Sequence, residues 1–335
     1  GMETVNRILQ EKITARIAPN KAVLIFGARR VGKTVMMRKI VDNYSGRTMM
    51  LNGEDYDTLA LLENRSIANY RHLLDGIDLL AIDEAQNIPQ IGSILKLIVD
   101  EIPGISVLAS GSSSFDLLNK TGEPLVGRST QFLLTPFSQR EIAQTETALE
   151  TRQNLEARLI YGSYPEVVMM ENYERKTDYL RDIVGAYLLK DILAIDGLKN
   201  SSKMRDLLRL IAFQLGSEVS YNELSNLLGV DRGTVETYIN LLEKCFVVFR
   251  LDSFSRNLRN EIKKGKKVYF YDNGVRNAVL SNFAPLELRN DVGALWENLM
   301  VSERVKRNAY SGNYAQLFFW RTHEQQEIDL IEEQD

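Results

Sequence analysis

The sequence predicts an α/β chain: a parallel sheet in the strand order 5-1-4-3-2, covered by helices, then a helical linker, a winged helix-turn-helix and a small α+β region. Three observations carry this reading. A short apolar run, Ala22 to Phe26, stops at Gly27 and is followed by Gly27-Ala28-Arg29-Arg30-Val31-Gly32-Lys33-Thr34, then by apolar residues at helical spacing. A second apolar run, Ile77 to Ile82, ends in the adjacent carboxylates Asp83 and Glu84. Farther along, capping and glycine signals over 204–250 bracket two short helices and an apolar strand.

Composition narrows the classes. A chain of 335 residues has room for two or three domains of roughly 150 residues each. With 44% hydrophobic and 26% charged residues it is neither disordered nor collagen-like. Lys and Arg total 41 against 45 Asp and Glu, a net charge of −4 that disfavours nucleic-acid binding through bulk charge but allows a local basic patch. The single Cys245 and the two histidines, His72 and His323, exclude disulfide scaffolds and Cys/His zinc sites. Cys245, before an apolar strand, reads as packing. No apolar run reaches the roughly 18 residues of a membrane span. Gly1-Met2 reads as a tag-cleavage scar, and no signal segment opens the chain, so the expectation is a cytoplasmic, metal-poor protein.

Residues 3–140 are expected to form the first domain, with a leading helix. The residues from Gly27 to Val35 (Gly27, Ala28, Arg29, Arg30, Val31, Gly32, Lys33, Thr34, Val35) match G-x-x-x-x-G-K-S/T between a strand and a helix, the P-loop of a nucleoside triphosphatase. Glycines let the backbone curl so that successive amides face an anion, and the helix N-terminus adds partial positive charge. Lys33 is placed to reach the β- and γ-phosphates of ATP, and the Thr34 hydroxyl to bind Mg²⁺. Asp83 is expected to hold the magnesium through water, and Glu84 to polarise the attacking water. Arg29 and Arg30 read as solvated or paired with acids.

The remaining elements of this domain follow in order: a strand at Thr48–Leu51, a helix at Ile91–Ile102 before Pro103-Gly104, a strand at Ile105–Ala109 and another at Gln131–Leu134. Ser110, with Ser112 as the alternative, is a candidate for sensing the γ-phosphate or holding the attacking water. Equally, these serines could cap a helix starting near Phe115. Arg128 is a candidate for neutralising γ-phosphate charge, in its own chain or a neighbour's, with a surface salt bridge as the alternative.

Residues 141–202 read as a helical linker broken at Gly162-Ser163-Tyr164-Pro165. In 203–275, a helix at Met204–Leu215, a capping box at Ser220–Glu223, the turn Gly229-Val230, an Asp231 cap, a helix at Thr234–Lys244 and a strand at Phe246–Leu251 suggest the winged helix-turn-helix. In a DNA reader Arg232, Thr234, Thr237 and Tyr238 face outward. The stretch 256–267 holds six basic residues and one acid, and Lys263, Lys264, Lys266 and Lys267 around a glycine fit a hairpin tip on phosphate. A solvated strand edge and a protein-interaction module are the alternatives. In 276–335, Glu297 on a helix and Asp329 on a strand resemble the start of a restriction-endonuclease-like core sharing a divalent metal. No Glu-x-Lys follows Asp329 before Asp335. The plainer reading is polar alternation on an edge strand.

GARRVGKT, LLAIDEAQNIPQI, VLASGSSSFDLL and VGRSTQFLLTPFSQREI occur in this order. They are similar to the corresponding blocks of a group of prokaryotic predicted ATPases of the AAA superfamily whose C-terminal region has no assigned function. YGSYPEVV (161–168), YLLKDIL (187–193), VYFYDNGVRNAVL (268–280) and FFWRTHEQQEIDLI (318–331) resemble landmarks of that second region. The resemblance implies ATP binding and hydrolysis, with Lys33, Thr34, Asp83 and Glu84 at the motif positions. The chain departs from better-known AAA proteins in lacking an obvious lid arginine after a helical bundle, which puts ring assembly in question. The expected function is a Mg²⁺-dependent ATPase whose nucleotide state controls the second half, acting on DNA or a DNA-associated partner. An ATP-coupled nuclease and a nucleotide-gated protein-interaction module are the alternatives.

Overall fold

The computed structural model describes residues 5–114, 127–196, 201–254, 265–312, 316–321 and 327–333. The chain forms two compact units, Asn6–Leu134 and a second one made of Gly1–Val5 with Thr135–Asp335.

In the first unit, α1 (Leu9–Arg16) precedes β1 (Ala22–Phe26), α2 (Lys33–Asp42), β2 (Thr48–Asn52), α3 (Tyr56–Glu63), α4 (Ile67–Leu73), β3 (Leu79–Asp83), α5 (Ile91–Glu101), β4 (Ser106–Gly111) and β5 (Ser129–Leu133). All five strands run parallel in the order β2-β3-β4-β1-β5, the 5-1-4-3-2 order expected. Every residue of β1, β3 and β4 is buried, so these strands read as continuous apolar runs rather than alternating ones. The edge strands β2 and β5 are only half-buried, and there the apolar run weakens. Helix α5 buries Ile91, Ile94, Leu95, Ile98 and Val99, a one-sided stripe at helical spacing. Because the strands are parallel, Phe26, Asn52, Asp83 and Gly111 all finish at one end of the sheet, where an α/β fold binds its ligand.

The second unit holds α6 (Gln139–Ile142), α7 (Ala148–Gln153), α8 (Leu155–Tyr161), α9 (Pro165–Met169), α10 (Tyr173–Asp182), a π-helical turn (Ile183–Leu188), α11 (Leu189–Asp196) and α12 (Ser201–Phe213). Then come β6 (Glu218–Val219), α13 (Tyr221–Leu228), α14 (Arg232–Lys244), β7 (Val248–Ser253), β8 (Lys266–Phe270), α15 (Asn273–Val279), α16 (Val292–Ser311), β9 (Gln316–Arg321) and β10 (Glu327–Glu333). The sheet order is β10-β9-β7-β8-β6. Strand β9 pairs parallel with β7 through Asp252–Phe318 and Ser253–Phe319, so residues expected to divide at 275/276 share one sheet. Leu251, Tyr269, Val301 and Phe319 form its core.

Two sequence landmarks meet in this unit. The Asp272 carboxylate accepts hydrogen bonds from the Ser163 amide at 2.7 Å and the Val275 amide at 3.2 Å, tying the 161–164 turn to the start of α15. Burial pushes the Asp272 carboxyl above its ordinary range, against the pull of Lys306 and of three backbone donors. Buried asparagines complete the junction: Asn273 donates to the Leu159 and Leu295 carbonyls, and Asn277 to the Ile160 carbonyl. The Leu159 and Ile160 carbonyls lie in the last turn of α8, which leaves them without helical partners.

Local capping differs from expectation at two places. Ser220 accepts from the Glu223 amide at 3.2 Å without the return bond that completes a capping box, and the Asp231 side chain makes no capping bond. Helix α14 starts instead from the Asp231 main-chain carbonyl, which accepts the Thr234 and Val235 amides. Cys245 is buried, and burial raises its thiol to about 12, which fits packing.

Candidate nucleotide site

The phosphate loop joins β1 to α2. At Gly27 an added Cβ would fall 2.2 Å from the Leu134 carbonyl oxygen, so no side chain fits. Gly32 has φ +108°, left-handed backbone that starts α2 directly before Lys33. Val31 and Ala28 are buried beneath the loop, while Val35 is exposed. The buried Lys33 ammonium donates to the Gly27 and Ala28 carbonyls at 2.6 and 2.7 Å, which keeps the cation at the mouth of the loop. Arg29 pairs with Glu54 at 3.0 Å on the surface, and Arg30 turns the chain with φ +73°.

Strand β3 delivers the carboxylates. Asp83 Oδ2 accepts the Thr34 hydroxyl at 2.6 Å, bringing together two residues 49 positions apart. Asp83 Oδ1 accepts the Ser110 hydroxyl at 2.5 Å. After Asp83 the backbone turns sharply: Glu84 has φ +50°, and its carbonyl would lie 2.1 Å from a Cβ at Gly53. The turn aims the two carboxylates differently. Glu84 Oε2 accepts from Gln86 Nε2 at 2.6 Å and from the Ser112 hydroxyl at 3.2 Å. Gln86 also donates to Ser112 Oγ at 2.9 Å and accepts the Ser112 amide at 3.3 Å.

Ser110 and Ser112, two residues apart where β4 ends, therefore each serve one carboxylate. Ser110 is fully buried, and its hydroxyl holds the Asp83 carboxylate. Ser112 is the serine that contacts the Glu84 carboxylate, while the Glu84 amide donates to Ser110 Oγ at 3.1 Å. The helix expected from Phe115 lies outside the described residues. Gln86 is the residue that sequence reasoning passed over. Its signal was its place two residues after the glutamate, on the 3-10 turn Ala85–Asn87. Replacing Gln86 by Leu is expected to cut turnover about tenfold while ATP affinity, read by calorimetry, stays within twofold, because one orienting bond to a charged group is lost. Unaltered turnover would show that the contact is idle.

Arg128 requires a correction. It precedes β5, and its carbonyl accepts the Ala22 amide at the start of β1, whereas the phosphate loop follows the far end of that strand. Its guanidinium pairs with Asp100. A strand of five residues spans roughly 16 Å, too far for Arg128 to reach this chain's own γ-phosphate.

In the second unit, Arg232 and Thr237 are exposed on α14, and Thr234 and Tyr238 are half-buried. Arg232 lies 6.0 Å from the Tyr221 ring, and the Thr237 hydroxyl donates to the Gly233 carbonyl. Lys266 pairs with Asp252 at 3.3 Å. Lys267 departs from the expected phosphate-facing tip: its side chain is 0% exposed and donates to Glu297 Oε1 at 3.2 Å. Alternation along β8 sends one of two adjacent lysines inward, where an acid compensates it. Lys263 and Lys264 lie outside the described residues. Glu297 also accepts the Tyr269 hydroxyl at 2.7 Å, so its carboxylate is already engaged by a cation and a phenol. Asp329 lies within β10, its side chain outside the described residues. Among the described residues no cluster of three or more His, Cys, Asp or Glu side chains forms a metal site. Nor, among them, is any helix long and apolar enough to cross a membrane.

Comparisons with known proteins bear on the domains of the chain. Residues 19–143 match the family model described as an AAA domain. Residues 152–286 and 292–335 match models described as domains of unknown function, DUF8612 and DUF4143. An uncharacterized protein of Mycobacterium tuberculosis is 24% identical over 315 residues, covering 93% of this chain and 67% of that protein. An uncharacterized protein of Methanocaldococcus jannaschii is 21% identical over 344 residues, covering 97% of this chain and 75% of its own length. Among solved structures, a signal-transduction ATPase with a tetratricopeptide repeat sensor from Pyrococcus horikoshii aligns with 12% identity and a TM-score of 0.36, covering 90% of this chain and 45% of that one. A mutant of RuvB from Thermotoga maritima aligns at 17% identity and a TM-score of 0.34, covering 85% and 96%. The first unit has a P-loop NTPase-like fold, and the AAA-domain match falls on it.

Proposed function

We propose that the chain is a Mg²⁺-dependent ATPase whose nucleotide state controls how its second unit meets a partner. The observation that carries this reading is the hydroxyl of Thr34 bonded to Asp83 at 2.6 Å with Glu84 braced beside it by Gln86. A hydroxyl and a carboxylate are the hard oxygen donors that magnesium prefers, and Thr34 and Asp83 are the residues that would hold it. When bound, the ion neutralises charge on the phosphate oxygens. Lys33 exchanges its loop carbonyls for β- and γ-phosphate oxygens. Glu84 accepts a proton from the water that attacks the γ-phosphorus, and the bond to the leaving ADP oxygen breaks.

The arrangement of α12, β6, α13, α14, β7 and β8, with β8 between β6 and β7, supports reading 203–275 as a winged helix-turn-helix. Arg232, Thr237 and Lys266 are its available contacts for DNA. A second reading is favoured by the charges around them: Glu223, Asp231 and Glu236 are exposed on or beside the same two helices, which opposes phosphate and suits a protein partner. The nuclease reading loses support because Glu297 is held by Lys267 and Tyr269.

ATP turnover measured with and without double-stranded DNA, single-stranded DNA and RNA separates these readings. Stimulation that fades steeply with salt supports DNA; unchanged turnover supports the protein partner. For the nucleotide itself, Lys33→Ala is expected to weaken Mg-ATP binding at least a hundredfold in calorimetry, since a buried ammonium to phosphate contact is charge-assisted on both sides. Full affinity in that variant would remove Lys33 from the site.

A further inference from the structure

Arg7 lies ahead of α1, in a stretch with no nucleotide motif, yet its guanidinium is buried against the phosphate loop. Its Nη1 donates to the Val31 carbonyl at 2.5 Å and lies 3.1 Å from where a Cβ of Gly32 would sit. The residue is only 7% exposed. It is anchored by the segment that follows it, because α1 buries Leu9 and Ile13 completely.

We propose that Arg7 is a positioning residue for the nucleotide's phosphates, acting through the loop; this rests on the nucleotide reading of residues 27–34. Three carbonyls of the loop are held by two cations: Gly27 and Ala28 by Lys33, Val31 by Arg7. A carbonyl held in place fixes the plane of the peptide bond that follows it. The Val31–Gly32 peptide leads directly into Lys33, so Arg7 sets the direction of the Gly32 amide and the entry of α2. In a buried site the same full positive charge adds to the potential that attracts a polyphosphate. Arg7 thus works on binding rather than on the chemical step, which belongs to Glu84.

The test uses the full chain with Mg-ATP, comparing wild type, R7M, R7Q and R7K by calorimetry and steady-state turnover. R7M is expected to raise Kd and KM for ATP about tenfold, the loss of one charge-assisted bond, and to leave kcat within threefold. R7K, which keeps the charge, restores most of the affinity; R7Q, which keeps a neutral donor, restores less. If R7M does not fold, the R7K and R7Q pair decides, and equal affinities there overturn the proposal. A fall in kcat with KM unchanged, or wild-type affinity in R7M, overturns it as well. Failure of wild type itself to bind ATP would bring down the nucleotide reading and Arg7 with it, whereas tight wild-type binding with no effect of R7M removes Arg7 alone.

Discussion

Glu84→Gln is expected to bind Mg-ATP with near wild-type affinity and to hydrolyse it a hundredfold to ten-thousandfold more slowly, the range over which a positioned general base contributes. The substitution suits the site. A glutamine keeps an oxygen for the Gln86 and Ser112 donors that now meet Oε2, so the side chain keeps its place and only its charge and basicity go. The left-handed turn at position 84 makes no new demand, because the two residues share the same backbone preferences. Single-turnover measurement of phosphate release, with nucleotide affinity measured in parallel, distinguishes this from a binding defect. Wild-type turnover would leave Asp83 and the loop as a nucleotide holder and force the search for another base. Together with Lys33→Ala the pair divides binding from chemistry.

Gly162→Ala is expected to destabilise the second unit by about 3–5 kcal/mol, the scale of the largest single-residue effects, and to lower its melting temperature by about 10 °C. Two causes add. The backbone there has φ +73° and ψ −154°, a region that only glycine enters without a cost of about 1–3 kcal/mol. The new Cβ would also lie 2.1 and 2.4 Å from the two Asp272 oxygens, displacing a buried carboxylate from the Ser163 and Val275 amides. Gly233→Ala is the control: no heavy atom lies within 4 Å of its added Cβ, and alanine in a helix is worth up to about 1 kcal/mol over glycine. A calorimetric scan in which both variants melt with wild type would mean that the 161–164 turn is free to move away from α15.

How much could be read beforehand depended on whether the signal was local. The loop at 27–34, the Asp83-Glu84 pair and the burial of β1, β3 and β4 are written in contiguous residues, and the sheet order followed from where the motifs fall. Arg128 was legible too, in hindsight. In a parallel sheet a residue that precedes a strand lies at the end opposite to the ligand, and that geometry alone separates it from the loop. The serines after β4 were ambiguous because a hydroxyl at a strand end can cap, sense or orient. Only the neighbouring strand selects among these, giving Ser110 to Asp83 and Ser112 to Glu84.

The lysines of β8 show the same limit from the other side. Charge counting placed Lys266 and Lys267 together on a basic tip, yet adjacent strand residues face opposite ways, and Lys267 turns inward to Glu297 across 30 positions. The amino-acid string alone determined the phosphate loop and its sheet, since main-chain curvature and apolar continuity are properties of neighbours along the chain. Tertiary structure alone decided that Ser112 meets Glu84, that Arg7 caps the loop and that Asp272 closes on Gly162. Those pairings join groups distant in sequence, and the low dielectric of the interior makes each polar side chain's meaning depend on which partner folding brings to it.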